Sequence, residues 1–133
     1  MKCTGTAYIY RTLEGEYVRS KLICEGEEDC PEGSKCKEIE VVQKGPYSSI
    51  TRKFCQCKTG NVVPKHPEHC HMEIVIFHHF GKVVHAEAYC VGGGCEKKLE
   101  CKMWTAKFSE VTEKGQILLV EESRCECGVI LGK

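Results

Sequence analysis

Asparagine and aspartate are almost missing from this chain, with Asn61 and Asp29 the single examples of their types. Asn61 is followed by Val62 and Val63, so no Asn-x-Ser/Thr acceptor exists and N-glycosylation is excluded. A run of about 18 apolar residues is also missing, which removes any helical membrane span. Charge of either sign is not in excess, since nineteen basic residues balance nineteen acidic ones. Net charge therefore recruits neither nucleic acid nor an anionic membrane. Met1-Lys2-Cys3 is followed by no apolar h-region, so any secretory signal is expected to have been removed already or never included.

Catalytic signatures are absent too. There is no Gly-x-Ser-x-Gly elbow and no phosphate loop, and Gly92-Gly93-Gly94 stands between Cys90 and Cys95 with no helix start behind it. No Cys-x2-Cys knuckle occurs, so the usual way of bringing two thiolates to one zinc ion is lacking. The expectation is a non-enzyme with no cofactor.

What the chain does have is cysteine, twelve in 133 residues. That density belongs to small secreted scaffolds that cannot bury enough apolar surface alone. The even count lets every thiol pair, which predicts six cystines and an extracellular location. A Glu/Lys-rich chain poor in Asn would also suit a hyperthermophile, where intracellular proteins do carry disulfides.

The cysteines repeat. From Cys3 the intervening residues number twenty to Cys24, five to Cys30, five to Cys36, eighteen to Cys55 and one to Cys57. From Cys70 they number nineteen to Cys90, four to Cys95, five to Cys101, twenty-three to Cys125 and one to Cys127. Gly15 and Gly81 fall at matching places after the first cysteine, and Lys37 and Lys102 each follow the fourth. Self-similarity at this level implies a tandem module. Residues 1–60 form the first module, 61–69 a linker with Pro64 and Pro67, and 70–133 the second module.

Each module reads as two β-hairpins. Residues 6–10 and 17–23 flank Glu14-Gly15, and 72–77 and 83–89 flank Phe80-Gly81, where glycine permits the positive φ of a tight turn. Residues 39–43 and 49–54 surround Gly45-Pro46, and 102–108 and 116–122 surround Lys114-Gly115. Trp104, Ala106 and Phe108 alternate with Thr105 and Lys107, a period of two that predicts an inward apolar face. The predicted fold class is a small disulfide-rich all-β protein of two tandem homologous modules, each of two hairpins stapled by three disulfides. The first hairpins are expected to bring Cys3 near Cys24 and Cys70 near Cys90.

Adjacent Cys-x-Cys side chains in a strand point the same way without bonding each other, so each needs a separate partner. Six cysteines per module leave fifteen connectivities open. The run Cys24-x5-Cys30-x5-Cys36-x18-Cys55-Gln56-Cys57-Lys58-Thr59-Gly60, closed by Cys70, resembles the spacing of EGF-like modules over residues 24–70. No calcium signature precedes it, because Leu22 and Ile23 stand where acidic residues are needed. The crossed pairing that this resemblance implies is Cys24 with Cys36 and Cys30 with Cys55, leaving Cys3 for Cys57. Its counterpart in the second module is Cys90 with Cys101, Cys95 with Cys125 and Cys70 with Cys127. Pairing across the base of the first hairpin, Cys3 with Cys24, is the rival.

Two places attract attention for chemistry. All six histidines lie between residues 66 and 85, and His69, His71, His78 and His85 are candidate metal ligands, with His85 expected across from Ile76. Surface histidines on an exposed hairpin are the plainer reading. Lys44, Pro46 and Tyr47 form a turn that offers a basic anchor to a trypsin-like pocket, or else simply closes a hairpin. The tips differ between modules more than a spacer repeat needs. The function expected is binding of an extracellular protein target, as an inhibitor, toxin-like ligand or receptor-directed effector, with a structural matrix component as the alternative. No nucleic-acid partner or membrane insertion is expected, and the oligomeric state stays open.

Overall fold

The computed structural model describes residues 3–26, 30–58 and 67–129. Among these every regular element is a strand: β1 (Thr4–Arg11), β2 (Tyr17–Glu25), β3 (Lys35–Lys44), β4 (Ser48–Lys58), β5 (His71–His79), β6 (Lys82–Val91), β7 (Leu99–Val111) and β8 (Ile117–Val129). The four predicted hairpins are all present, each with strands longer than the apolar pattern suggested. Ladder hydrogen bonds carry the strands past their apolar residues into the flanking cysteines.

The hairpins assemble in an interleaved way. One antiparallel sheet has the order β2-β1-β8-β7 and the other β3-β4-β5-β6. Each sheet thus takes one hairpin from each copy, joined by β1 to β8 in the first and β4 to β5 in the second. Exchanging β1 with β5, β2 with β6, β3 with β7 and β4 with β8 converts one strand order into the other, so the copies are related by a pseudo-two-fold. Residues 61–66 of the expected linker lie outside the described residues, and the two copies share both sheets.

Six cystines join the described cysteines: Cys3–Cys36, Cys24–Cys55, Cys30–Cys57, Cys70–Cys101, Cys90–Cys125 and Cys95–Cys127. All lie within a copy, and both copies use first-to-fourth, second-to-fifth and third-to-sixth pairing. The crossed pairing implied by the EGF-like resemblance is therefore not formed, and neither is Cys3 with Cys24. The reason lies in the ladder. Cys24 stands opposite Gly5 in the β1–β2 register, which places Cys3 beyond its reach across the strands. A Cβ on Gly5 would sit 2.7 Å from Cys55 Sγ, so the missing side chain is what lets Cys24 reach across to β4 in the other sheet. Cys55 and Cys57 share a face of β4 and find separate partners, as the Cys-x-Cys geometry requires. Each cystine closes a chain separation of 27 to 35 residues, worth about 3.5–4 kcal/mol in the loop-entropy account.

The core between the sheets gathers Cys3, Ala7, Leu22, Cys55, Met72, Ile74, Ile76 and Ala86, with Val83, Ala88 and several cystine sulfurs against it. Arg11 bridges the sheets by donating to the Ala86 carbonyl. A separate cluster, Tyr10, Leu118 and Val120 with Tyr8, lies on the opposite face of the first sheet. The register places Trp104 with Arg124 and Phe108 with Val120 on that same outer face. The apolar stripe of β7 consequently faces away from the inter-sheet core, contrary to the inward face expected, and Trp104 and Phe108 remain 41% and 44% exposed. Arg124 covers the Trp104 ring at 4.3 Å.

Strand β5 is buried on both faces from His71 to Ile76. Met72, Ile74 and Ile76 enter the core, whereas His71, Glu73 and Val75 occupy the other face beside Phe54 and Ile39.

Candidate functional site

Hairpins β3–β4 and β5–β6 are neighbours in the second sheet and turn at the same end, so their tips lie side by side. The Phe80 amide donates to the Tyr47 carbonyl at 2.8 Å, tying one tip to the other. The Tyr47 and Phe80 rings lie 5.5 Å apart, and the His79 ring meets Phe80 edge-on at 4.5 Å. Tyr47 is 64% exposed and Phe80 70% exposed. Lys44, Gly45, Pro46, Tyr47, Ser48 and Ser49 face His78, Phe80 and Gly81 across a cleft of about 240 Å³.

The backbone at this tip is unusual. Phe80 (φ 50°) and Gly81 (φ 78°) both lie in the left-handed region, as a two-residue turn between His79 and Lys82 demands. Glycine meets that demand without cost, but a bulky residue there stores about 1 kcal/mol of strain. The ring held in this conformation packs against Tyr47 and His79 and is otherwise left to solvent.

Charge adds to this. No acidic residue occurs from Val41 to Lys58 or from Ile74 to Ala86, where Lys44, Arg52, Lys53, Lys58 and Lys82 lie. The tips of the first sheet differ: Glu14 and Glu16 sit in one turn and Glu113 with Lys114 in the other. Those two turns are built alike. Thr12 and Thr112 each accept from the amides of Gly15 and Gly115 at 2.9 Å, and their hydroxyls accept from Glu16 at 3.1 Å and Gln116 at 3.0 Å. The neutral chain therefore carries a basic aromatic end and a more acidic polar one.

The Lys44, Pro46 and Tyr47 loop thus falls within the tip, while sequence reading missed its partners Phe80 and His79. The signal was present in Phe80-Gly81, where an aromatic occupies the first place of a turn that favours Asn, Asp or Gly.

The histidines do not converge. His69 and His71 lie at the start of β5 with rings 5.7 Å apart. His78 and His85 lie at the far end of the hairpin, roughly 20 Å further along at about 3.3 Å per residue. A bulge at Phe77/His78 moves the register by one, so His85 stands across from Phe77 rather than Ile76, and His78 pairs with Val83. His78 and His85 therefore project from opposite faces. His71 is engaged elsewhere: Nδ1 donates to the His69 carbonyl at 2.7 Å, and Nε2 lies 2.8 Å from Glu73 Oε2. Burial alone lowers the His71 pKa, but the hydrogen bonds to Glu73 and His69 and the Glu73 charge outweigh it and raise the value above the ordinary one. Glu73 is fully buried, with Arg52 Nη1 3.9 Å from Oε1. Among the described residues, the groups close enough to share one ion are the cystine sulfurs Cys3/Cys30/Cys57, Cys70/Cys95/Cys127 and Cys90/Cys101/Cys125. Their sulfurs are already spent in S–S bonds.

No protein-family model, curated protein or solved structure matches this chain.

Proposed function

We propose that this is a secreted, non-enzymatic binding protein that grips an acidic surface of an extracellular protein target with the paired tips of its second sheet. The observation that carries this reading is the exposed Tyr47–Phe80 pair, mounted on a left-handed Phe80 and surrounded by lysines with no acidic residue in the adjoining strand segments. Aromatic anchors supply large contact area at small entropic cost, and a basic rim steers an acidic partner and sets its orientation. Cystines at the hairpin bases hold the tips rigid, which lowers the entropy lost on binding.

The test separates folding from binding. Phe80→Gly relieves the left-handed strain, and Tyr47→Ser removes the second ring. The double variant should fold at least as stably as wild type by urea denaturation while losing a partner that the wild-type protein retains from extracellular fluid. Surface plasmon resonance with that purified partner should show an association rate that falls as salt rises. Equal retention by the double variant, or an association rate indifferent to salt, would overturn the reading.

A further inference from the structure

Sheet edges are places where an incoming strand can add, and native proteins blunt them with bulges, prolines or dense charge. Among the described residues, the edges are β2, β7, β3 and β6. The β1–β2 and β5–β6 ladders each contain a register shift. Strand β3 is regular and exposes Val41 and Val42, but half of its ten residues are charged, Lys35, Lys37, Glu38, Glu40 and Lys44. Strand β7 is different: it runs 13 residues with no proline or glycine, and its ladder to β8 is unbroken. Met103, Trp104, Phe108 and Val111 on it are all exposed.

We infer that β7 is a self-association edge, pairing antiparallel with β7 of a second copy of this chain. Geometry restricts the register. Outward-pointing amides and carbonyls occur on alternate residues, so outward groups meet only when each residue faces one of the same parity. Among registers with that property, the one centred on Ala106 opposite its own counterpart sets Lys102 against Glu110 of the second copy, and Glu110 against Lys102. The same register places Trp104 against Phe108, twice, on the outer face already lined by Tyr10 and Val120. Shifting the centre to Thr105 opposes Glu100 and Glu110, and shifting it to Lys107 opposes that lysine to itself. Charge complementarity therefore selects the pairing through Ala106. In the single chain the Lys102 ammonium lies over β8, donating to the Val129 carbonyl and 3.6 Å from Glu100, contacts that pairing with Glu110 of the second copy would exchange. The contact is isologous and closes at two copies. Both first sheets then merge into one continuous sheet, and the two basic tips remain free.

Sedimentation equilibrium of the oxidised full chain over a wide concentration range tests this. A reversible dimer is expected, with β7 amides protected from hydrogen exchange at high concentration and exposed on dilution. Glu110→Lys sets like charges against each other at both ends of the pairing, and Lys102→Glu does the same with the opposite sign. Each alone should weaken dimerisation roughly tenfold or more. The two together exchange the charges across the interface and should restore the wild-type constant. A chain that stays monomeric at every concentration overturns the inference. So does a dimer indifferent to the single substitutions, or one that the combined substitution fails to rescue.

Discussion

Replacing His71 by Phe probes the one fully buried acidic side chain among the described residues, Glu73. Phenylalanine keeps a ring of similar shape beside Phe54, whose ring meets the imidazole edge-on with centroids 6.1 Å apart, so packing changes little. What disappears is the Nε2 partner of Glu73 at 2.8 Å, leaving a carboxylate at 0% exposure with the Arg52 guanidinium 3.9 Å away. Removing one partner of a buried pair costs about 3–5 kcal/mol, because the other charge stays desolvated. Glu73→Gln should cost less, about 1–2 kcal/mol, since the amide still donates to a neutral imidazole and only the charge assistance is lost. His71→Phe combined with Glu73→Leu should return close to wild-type stability, because an apolar pair of similar volume carries no desolvation cost. The assay is guanidinium unfolding followed by circular dichroism, with the cystines kept intact. It should be run across pH, because the folded pKa of His71 is raised, chiefly by Glu73 and the His69 carbonyl working against burial. A raised value means that the folded state holds the proton more tightly. The contribution is thus complete below the unfolded value of about 6.5 and is lost as pH rises through the folded value. That slope should flatten in Glu73→Gln. A cost under about 1 kcal/mol for His71→Phe, or a combined variant no more stable than the single one, would refute the account.

Three further outcomes follow from the geometry. Peptide mapping under non-reducing conditions should recover Cys3 with Cys36 and Cys24 with Cys55, and in the second copy Cys70 with Cys101 and Cys90 with Cys125; a Cys24–Cys36 or Cys3–Cys24 peptide would contradict the ladder. Cleavage between residues 62 and 66 should release no fragment under native conditions, although no cystine crosses the copies, because β1 pairs with β8 and β4 with β5; guanidinium without reductant should then part the two pieces, and free separation in buffer would disprove the shared sheets. Gly92→Ala should destabilise by more than 2 kcal/mol on the order of a severe backbone clash, since φ is +93° and a Cβ there would lie 2.4 Å from the His69 carbonyl oxygen; a thermal melt within a degree or two of wild type would argue against that contact.

How far the amino-acid pattern reached can be judged from particular residues. Hairpins were legible because their signals are local: Gly15, Gly81 and Gly115 all adopt positive φ at turns between apolar runs. Oxidation was legible because cysteine density reflects the size of the core a short chain can build. Which hairpins share a sheet was not, since edge-to-edge pairing of β1 with β8 depends on residues more than a hundred positions apart and leaves no local mark. The cystine pairing failed for the same reason. Cys24–Cys55 and Cys90–Cys125 join strands of different sheets, and Gly5, the residue that makes room, looks like any other glycine until Cys55 is placed over it. The histidines separate along the length of β5, and a bulge moves His85 one place further so that it faces Phe77 instead of Ile76. The buried pair left a trace that was not followed: Glu73 interrupts an apolar run, and His71 shares its face two residues earlier. Tyr47 stands out in the sequence beside Gly45-Pro46, while Phe80-Gly81 reads only as a turn, and nothing local tells that the two tips lie side by side.

The exchange of hairpins between sheets bears on what half of this polypeptide would be. A lone copy holds β1 and β2 as one ribbon and β3 and β4 as another, each with the flank that its missing neighbour covers left bare. Its three cystines are all internal, so nothing covalent is lost, yet neither ribbon has a sheet to complete. Two lone copies supply one another's missing strands, β1 of each lying where β5 of the second copy now lies for its partner ribbon, and a symmetric pair closes with no unmet flank inside it. In topological terms this protein is a strand-sharing homodimer carried on a single thread, and joining the two halves converts a concentration-dependent assembly into one whose partner is always present.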